Sequence, residues 1–467
     1  MRSSFSGLDI AYRALQAQQQ AIDVVNHNIA NANTPGYSRQ VADMAATPPY
    51  TLPSFMRDPS AGQMGTGVAV TDIRRSRNSL IDYQIRTETQ TQGQWEKMRD
   101  ALKQVEVVFN EPSSSGINSL LSKFWQAWQD LSNNPQDAGA RSALVEQADS
   151  LAVAFNRNYS LLNDIQQDAD RQIRVGVDYV NDLADRIASL NVQIAQVEIL
   201  GQRANDLRDQ RDLLLDELSQ KVKITYSETP EGAMNVFIGS RVLVARSRAE
   251  KLAVNTNASG FADIVWADDG SIASVTNGEL YGLSQARDVE LPRFMGDLQT
   301  LAGQLITSVN ALHRTGYGLD NSTNMDFFGG TGASDIAINP LLKANPRQVA
   351  AAGSLNSPGD NSIALAIAGL QRALTMNGGT SDFGKFLSST VSRLGVDSQR
   401  ASMMASNQKL LVDHLTRQKE SLTGVSLDEE TTHLIEYQRA YQAASRVVTT
   451  VDEMLDKLIN GTGLVGR

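Results

Sequence analysis

Residues 5–30 read FSGLDIAYRALQAQQQAIDVVNHNIA, and their pattern indicates a long helix. Apolar or aromatic side chains recur at alternating steps of three and four residues, which is the spacing of a heptad seam along one helix face. Gln19 and Asn26 are the polar exceptions, and no proline interrupts the run. The sequence therefore predicts a one-sided helix whose seam consists of Phe5, Leu8, Tyr12, Leu15, Ile22 and Ile29.

The other end of the chain repeats this arrangement. Ser426 and Glu429 form a capping-box pattern, and the acidic run at 428–430 suits the positive end of a helix dipole. Glu430 is the charged residue that breaks the seam. The sequence predicts a second helix with a seam at Leu427, Leu434, Tyr437, Tyr441, Val448, Val451, Leu455 and Leu458.

A narrow apolar stripe cannot be buried by an isolated helix, so both terminal helices need a partner. Periodicity leaves two alternatives open: the two helices pair with each other as an ordinary antiparallel pair, or they present their remaining faces to other molecules. The stretch after the first helix, Thr34, Pro35, Gly36 and Tyr37, has the residues of a type II turn, because Pro fixes one φ and Gly accepts a positive φ.

Between the ends, a Pro- and Gly-containing connector reaches to about residue 79. Helical periodicity follows from Trp95 to Phe109 and from near Ala138 onward, and it changes to the two-residue period of strands at Val222. We predict a mainly α protein with long antiparallel helices, terminal coiled-coil helices and a small β-rich inserted domain. The predicted domains are a terminal coiled-coil domain (1–40 plus 425–467), a helical body (41–221 plus 283–424) and the β-rich insert (222–282).

Composition excludes several classes of function. The 467 residues contain 42 Lys and Arg against 52 Asp and Glu, a formal net charge of -10, which argues against binding nucleic acid. The absence of cysteine excludes disulfides, thiol nucleophiles and Cys-ligated metals. No stretch is apolar over the roughly 20 residues that a spanning helix needs, so we expect no membrane partner. No cleavable export signal is visible, which alone indicates a cytoplasmic protein.

Three local patterns weakly suggest a ligand site. Glu430 and His433 have the Glu-x-x-His spacing of a metal-binding helix, but we interpret them as a solvated acidic cap beside a surface His. The segment 320–326 has Met where a calcium loop needs Gly, and 329–332 lacks the Lys of a phosphate loop. We interpret both segments as turns, and we expect no catalysis, no cofactor and no metal.

The segment Asn28–Gln40, NIANANTPGYSRQ, resembles the N-terminal signature of bacterial flagellar axial proteins. Three further segments are similar to the flagellar hook-associated protein 1 family: NDLRDQRD at 205–212, the stretch from NALH at 310–313 to DFF at 326–328, and GVSLDEE at 424–430. One departure is that only residues 329–361 stand where longer members carry a further β-rich outer domain. The chain is therefore identified as a short member of that family.

The resemblance implies a structural protein of the junction between flagellar hook and filament, exported without cleavage of a signal, which replaces the cytoplasmic expectation. Implied partners are other copies in a ring, the hook protein, the second hook-filament junction protein and an export chaperone at the C-terminal segment. It also implies that the terminal helices become ordered on assembly. The alternatives are a hook or rod protein, and a secreted adhesin or glycan-cleaving accessory.

Overall fold

The structure is a computed structural model that describes residues 5–49 and 65–461. The prediction of a mainly α protein is confirmed. Part of the predicted connector, residues 50–64, and both extremes of the predicted terminal domain, 1–4 and 462–467, lie outside the described residues. The helices are α1 (Ser6–Asn31), α2 (Ser79–Phe109), α3 (Ile117–Asn133), α4 (Ala138–Glu198), α5 (Asn205–Lys221), α6 (Glu279–Gln285), α7 (Leu291–His313), α8 (Pro340–Ala344), α9 (Ser362–Gly369), α10 (Phe383–Thr423) and α11 (Leu427–Gly461).

The strands form small antiparallel sheets. β1 pairs with β2, β3 to β6 form a four-stranded sheet in sequence order, β7 pairs with β8, and β9 pairs with β10. The predicted change to β structure after Val222 is confirmed. The strands are β1 (Gln40–Ala46), β2 (Val68–Arg75), β3 (Thr225–Glu228), β4 (Met234–Ile238), β5 (Arg241–Ala245), β6 (Arg248–Ala249), β7 (Leu252–Thr256), β8 (Ala262–Trp266), β9 (Phe328–Gly329) and β10 (Ala337–Ile338).

The chain divides into two compact units. The first unit comprises residues 1–89, 180–251 and 410–467, and the second comprises 90–179 and 252–409. Strands β3 to β6 therefore belong to the first unit and β7 and β8 to the second. The three-domain division stays a prediction.

The second unit has a large aromatic and aliphatic core. Phe124, Trp128 and Phe327 are fully buried there, and the rings of Trp128 and Phe327 lie 5.1 Å apart between centroids. Burying aromatic rings of this size contributes strongly to stability. Side chains from α3, α7 and the segment before β9 all contribute to this core. The core therefore holds these elements of the second unit together.

Helix boundaries are mostly where the sequence indicates. The predicted long helix does begin at Ala138, and its seam residues Ile173, Val180 and Ile187 are buried. α2 begins at Ser79, well before the periodic residues from Trp95 onward. The early start has a local cause, because the Asn78 side-chain oxygen accepts a hydrogen bond from a backbone N–H in the first turn.

Candidate functional site at the base of the terminal helices

The turn after α1 has the predicted geometry. Gly36 has a φ of +79°, which is the value that a type II turn requires at its third position. The backbone N–H of Tyr37 donates to the carbonyl oxygen of Thr34 over 3.2 Å and closes the turn. A Cβ added at Gly36 would lie 3.3 Å from the Cβ of Leu213, so both conformation and space favour glycine here.

Asn28, near the end of α1, is the centre of a buried hydrogen-bond network. Its side chain is 1% exposed. Its oxygen accepts from the Tyr37 hydroxyl (2.7 Å) and from the backbone N–H of Gln40 (2.9 Å). Its amide nitrogen donates to the carbonyl oxygen of Gln40 (2.8 Å) and to Glu430 (2.9 Å). One side chain thus satisfies polar groups on α1, the start of β1 and α11.

Glu430 contradicts part of the sequence interpretation. The prediction of a solvated acidic cap is wrong for this residue, because its side chain is 1% exposed and fully engaged. One carboxylate oxygen accepts from Nε of Arg39 at 2.7 Å, and the other accepts from Asn28. A buried carboxylate needs such partners, so Glu430 breaks the apolar seam in order to attach α11 to the base of α1. The helix cap predicted at Ser426 is present, because the backbone N–H of Glu429 donates to Oγ of Ser426 over 3.4 Å.

Helix α5 supplies the other side of the same network. The Asp209 carboxylate accepts from both the backbone N–H and the hydroxyl of Ser38, each over 2.8 Å. The Gln40 side chain donates to Asp206 over 2.7 Å and accepts from Asn205 over 3.2 Å. We call the set Asn28, Ser38, Arg39, Gln40, Asp209 and Glu430 the terminal junction. It joins three of the four sequence segments that carry the family resemblance.

An adjacent cluster of arginines and aspartates anchors the terminal junction in the first unit. Asp212 on α5 accepts from Arg75 and Arg77, each over 2.9 Å, and from Arg86 over 3.3 Å. Burial alone would raise the pKa of Asp212, but the charges of these three guanidinium groups outweigh it and hold that pKa well below its usual range. Burial likewise acts against the charge of Asp82, yet its ion pair with Arg77 lowers the pKa of that carboxyl.

Sequence reasoning missed this cluster. A signal was present, because Asp209, Asp212 and Asp216 recur at steps of three and four along α5 and so share one helix face. The arginines that they meet come from β2, from α2 and from the short loop between them, all far away in the chain. Local spacing reveals the acidic face, but it does not reveal what covers that face.

The predicted seam of α1 is not the face that α1 buries within the chain. Buried positions on α1 are instead Ala11, Ala17, Ala21, Val24 and Val25, together with Asn28. α1 packs with this face against α11 and the β1–β2 pair. The seam remains accessible: Leu8, Leu15, Ile22 and Ile29 are half-buried, whereas Phe5 and Tyr12 are exposed.

The predicted seam of α11 points mainly toward α1, the element against which α11 chiefly packs. Among the residues of α11 whose side chains are described, Glu430 is the buried one. The seam positions Leu434, Tyr437, Val448, Val451 and Leu455 are half-buried, whereas Leu427, Tyr441 and Leu458 are exposed. The two terminal helices therefore pair with each other, which is the first alternative from the sequence, and they still leave apolar side chains exposed. Presentation of these faces to other molecules stays a prediction. The assembly interface itself stays a prediction.

The fourth family segment acts inside the second unit. The Asn310 oxygen accepts from the backbone N–H groups of Phe327 (2.9 Å) and Phe328 (3.0 Å), and its nitrogen donates to the Phe328 carbonyl over 2.7 Å. The backbone N–H of Ala350 donates to Nε2 of His313, so the ring proton is on Nδ1 and donates to the Met325 carbonyl over 2.7 Å. Burial lowers the pKa of His313 to about 4, which keeps the ring neutral.

The two weak loop patterns are turns in the structure. Asp335 accepts from the backbone N–H groups of Thr331 and Gly332, so these donors are already used within the loop. Asp320 accepts from the backbone N–H of Ser322, and Asp326 is paired with Arg314. Within residues 5–49 and 65–461, no group of three potential ligands is placed to hold a metal ion. In the same residues, no helix is long and apolar enough to cross a membrane.

Three family profiles match the chain. Residues 102–328 match the helical domain of flagellar hook-associated protein FlgK, residues 8–37 match the flagella basal body rod protein profile, and residues 421–461 match the C-terminal profile of flagellar basal body rod FlgEFG proteins. Flagellar hook-associated protein 1 of Bacillus subtilis (strain 168) is 34% identical over 100% of both chains. The chain belongs to the flagellar hook-associated protein 1 family.

Other relatives agree with this membership. Flagellar hook-associated protein 1 of Escherichia coli (strain K12) is 26% identical over 96% of this chain and 98% of its own. That alignment spans 549 positions, more than the 467 residues here, so the relative has segments that this short member lacks. The structure of the flagellar hook junction protein FlgK from Burkholderia pseudomallei shares the fold, with a TM-score of 0.63 and 16% identity over 72% of this chain and 100% of that one.

Family membership fixes the broad role. Members of this family are structural components of the flagellum rather than enzymes, and this chain is a flagellar hook-associated protein. The terminal junction is accordingly a structural site. Its residues position two helices and carry out no reaction.

Proposed function

We propose that this protein forms the junction between the flagellar hook and the filament, where copies assemble on the hook tip as a ring. The observation that carries the proposal is the pair α1–α11: the terminal junction fixes it to the rest of the first unit, yet it leaves Tyr12, Val447 and Met454 exposed. A helix pair that is anchored at one end and apolar along its free sides is suited to packing against neighbouring subunits.

The exposed apolar side chains of α1 and α11 also support the proposal that the terminal helices become ordered on assembly. Beyond Glu430, the described side chains of α11 are half-buried at most, so the isolated chain gains little from packing this helix. Complete burial of each Leu, Ile or Val side chain contributes about 1.5–3 kcal/mol, which offsets the entropy of ordering once neighbours cover the seam. In limited proteolysis of the purified monomer, we expect cleavage within α1 and α11 before α4; equal resistance of all three would refute this part.

The further partners follow from the family role. We propose contacts with the hook protein on one side, with the second hook-filament junction protein on the other, and with an export chaperone at the C-terminal segment before assembly. The location would then be the extracellular flagellum, reached through the flagellar export channel without cleavage of a signal. Residues 424–461, which contain the terminal-junction residue Glu430 and the free edges of α11, are the segment that a chaperone would shield.

Electron microscopy of a strain that lacks this gene tests the proposal. Complete hooks without filaments, with unassembled flagellin in the medium, are expected. Absent hooks would move the protein to the hook or rod class, which shares the two terminal profiles but not the match at residues 102–328. Normal filaments would refute the junction role and favour the accessory alternative.

A further inference from the structure

The sequence contains three Asn-Gly pairs, at residues 277–278, 377–378 and 460–461. Asparagine is a thermolabile residue, because the backbone nitrogen that follows it can attack its side-chain amide carbon and close a five-membered imide ring. Glycine favours this attack because it has no side chain to shield the nitrogen. A pair reacts when its Asn side chain can rotate, when base can reach the Gly N–H, and when the backbone can change conformation.

The side chain of Asn377 is free to rotate. It is exposed in the turn between Met376 and Ser381. Among the residues that the structure describes, none forms a hydrogen bond with this side chain. The bonded group of Asn377 is instead its backbone carbonyl oxygen, which accepts from the Thr380 hydroxyl over 3.0 Å. The amide carbon Cγ of Asn377 can therefore approach the nitrogen of Gly378.

Gly378 satisfies the other two conditions. It is exposed, and nowhere in the described part of the chain does its N–H have an acceptor, so base in the solvent can remove the proton. A Cβ added at Gly378 would meet no atom within 4 Å. Two consecutive glycines, Gly378 and Gly379, have positive φ values of +67° and +92° in this turn. Because glycine changes φ readily and little is packed around the turn, the backbone can rearrange at small cost.

Asn277 has the same neighbour but is protected. Its side-chain nitrogen donates to Oγ1 of Thr91 over 3.1 Å, and its side-chain oxygen accepts from the backbone N–H of Gly278 over 2.9 Å. The second bond keeps the proton on the nitrogen that would have to attack. Gly278 is also buried, and its carbonyl oxygen accepts from the N–H of Gly282 at the start of α6. Both the side chain and the backbone are therefore fixed.

We propose that Asn377 is a site of spontaneous deamidation. Base removes the proton of the Gly378 nitrogen, which forms a bond to Cγ of Asn377. The bond between Cγ and Nδ2 breaks, and Nδ2 takes up a proton and leaves as ammonia. Water then opens the imide at Cγ to give aspartate, or at the main-chain carbonyl carbon to give isoaspartate. One water is consumed for each ammonia released, and no other reactant is needed.

Either product alters the turn that leads into α10. Both products add a negative charge, and isoaspartate also adds one atom to the backbone. The N–H of Met376 donates to the carbonyl oxygen of Ser381 over 2.9 Å, and the Met376 carbonyl oxygen accepts from the N–H of Gly379 over 3.0 Å. These bonds enclose the modified residue, so isoaspartate lengthens the segment that they close. This inference is independent of the proposed function.

Peptide mapping tests the proposal on the full chain. The folded protein is incubated in neutral buffer made with heavy-oxygen water, which labels every deamidation that occurs during the incubation, and tryptic peptides 373–385 and 252–287 are followed by mass spectrometry. Peptide 373–385 contains no other Asn and no Gln, so its label reports Asn377 alone, and fragmentation locates the label in 252–287. We expect Asn377 to react at least about tenfold faster than Asn277, which must first lose two hydrogen bonds.

The same measurement in urea is the control for sequence. The two rates should converge there, because only the neighbouring residues then determine them. Equal rates in the folded protein, a faster rate at Asn277, or label in 373–385 only in urea would each overturn the inference and leave the junction role intact. Asn460 is unsuitable as a control, because the order of α11 in the isolated chain is itself part of a proposal.

Two variants identify the reacting groups. Gly378→Ala retains the asparagine but shields the nitrogen, so peptide 373–385 should take up label several-fold more slowly. Asn377→Gln retains an amide whose longer side chain would have to form a six-membered ring, and it should stay unlabelled if the first variant does not fold. Labelling of both variants at the wild-type rate would contradict attack by the Gly378 nitrogen.

Discussion

Replacing Asn28 with alanine removes the side chain that connects α1, β1 and α11. Four hydrogen bonds are lost, and their partners include the backbone N–H of Gln40 and the carboxylate of Glu430, both of which are buried. An unsatisfied buried polar group costs about 1–3 kcal/mol, and Glu430 keeps its bond to Arg39, so we expect a loss of about 3–4 kcal/mol from the stability of the first unit. This loss corresponds to an opening equilibrium changed by more than a hundredfold.

Hydrogen exchange measured by mass spectrometry localises the effect. Peptides from 205–221 and 427–437 should exchange about a hundredfold faster in Asn28→Ala, whereas peptides from α3 should change little. Fluorescence of Trp95, Trp125, Trp128 and Trp266 gives an internal reference, since all four tryptophans belong to the second unit. Asn26→Ala is the matched control, because Asn26 is exposed two residues earlier on the same helix. If the two variants differed by less than 0.5 kcal/mol (about twofold in exchange), the reasoning about the terminal junction would be refuted.

Three further changes have defined outcomes. Gly36→Ala should cost about 1–2 kcal/mol in urea unfolding followed by circular dichroism, because φ is positive and Leu213 is close; an unchanged midpoint would contradict the turn assignment. Asp212→Ala should cost about 3–5 kcal/mol by the same assay, because it removes the buried carboxylate that three arginines share and leaves their charges only partly compensated by Asp82, Asp209 and Asp216. Asp206→Ala, at a half-exposed carboxylate, should cost under about 1 kcal/mol, and equal losses of stability in the two variants would contradict the stabilising role of the cluster. For His313, whose folded pKa of about 4 lies below its ordinary value, the unfolded chain takes up the proton first as pH falls. The contribution of neutral His313 to the free energy of unfolding is therefore fully present above about pH 6.5 and declines by about 3 kcal/mol toward pH 4. In His313→Gln, the free energy of unfolding followed by tryptophan fluorescence should depend less steeply on pH over this range, and an unchanged pH dependence would contradict the assignment.

The sequence predicts elements that depend on local chemistry. The Pro35–Gly36 turn, the start of α4 at Ala138 and the strands after Val222 all follow from side chains within a few residues. These features need only backbone preferences and a repeating apolar period, which are visible in a linear sequence.

The face on which α1 packs was not predictable in the same way. Heptad reading favours large side chains, so it selects the row through Phe5 and Tyr12 as the buried one. The chain instead buries alanines at 11, 17 and 21, because small side chains allow a close approach of neighbouring backbones. The large side chains of the predicted seam are half-buried or exposed instead. A heptad pattern therefore identified the helix but not the face with which it packs in the chain.

The terminal junction was beyond sequence reasoning for a different reason. Ser38 and Asp209 are 171 residues apart, and Asn28 and Glu430 are 402 residues apart. Polar residues in each segment look like ordinary caps and surface charges until the fold brings them together. The resemblance of each segment to one family marked them as important, but it did not indicate that they contact one another.

The central claim is that the uncovered faces of α1 and α11 join subunits at the hook-filament junction. The most direct test complements the deletion strain with Phe5→Glu/Tyr12→Glu and compares it with Gln16→Glu/Gln20→Glu, which adds the same charge at exposed positions of α1 outside the seam. Electron micrographs should show hooks without filaments for the first variant and complete flagella for the second, while both purified monomers retain wild-type helicity. Complete flagella from the Phe5→Glu/Tyr12→Glu strain would contradict the claim.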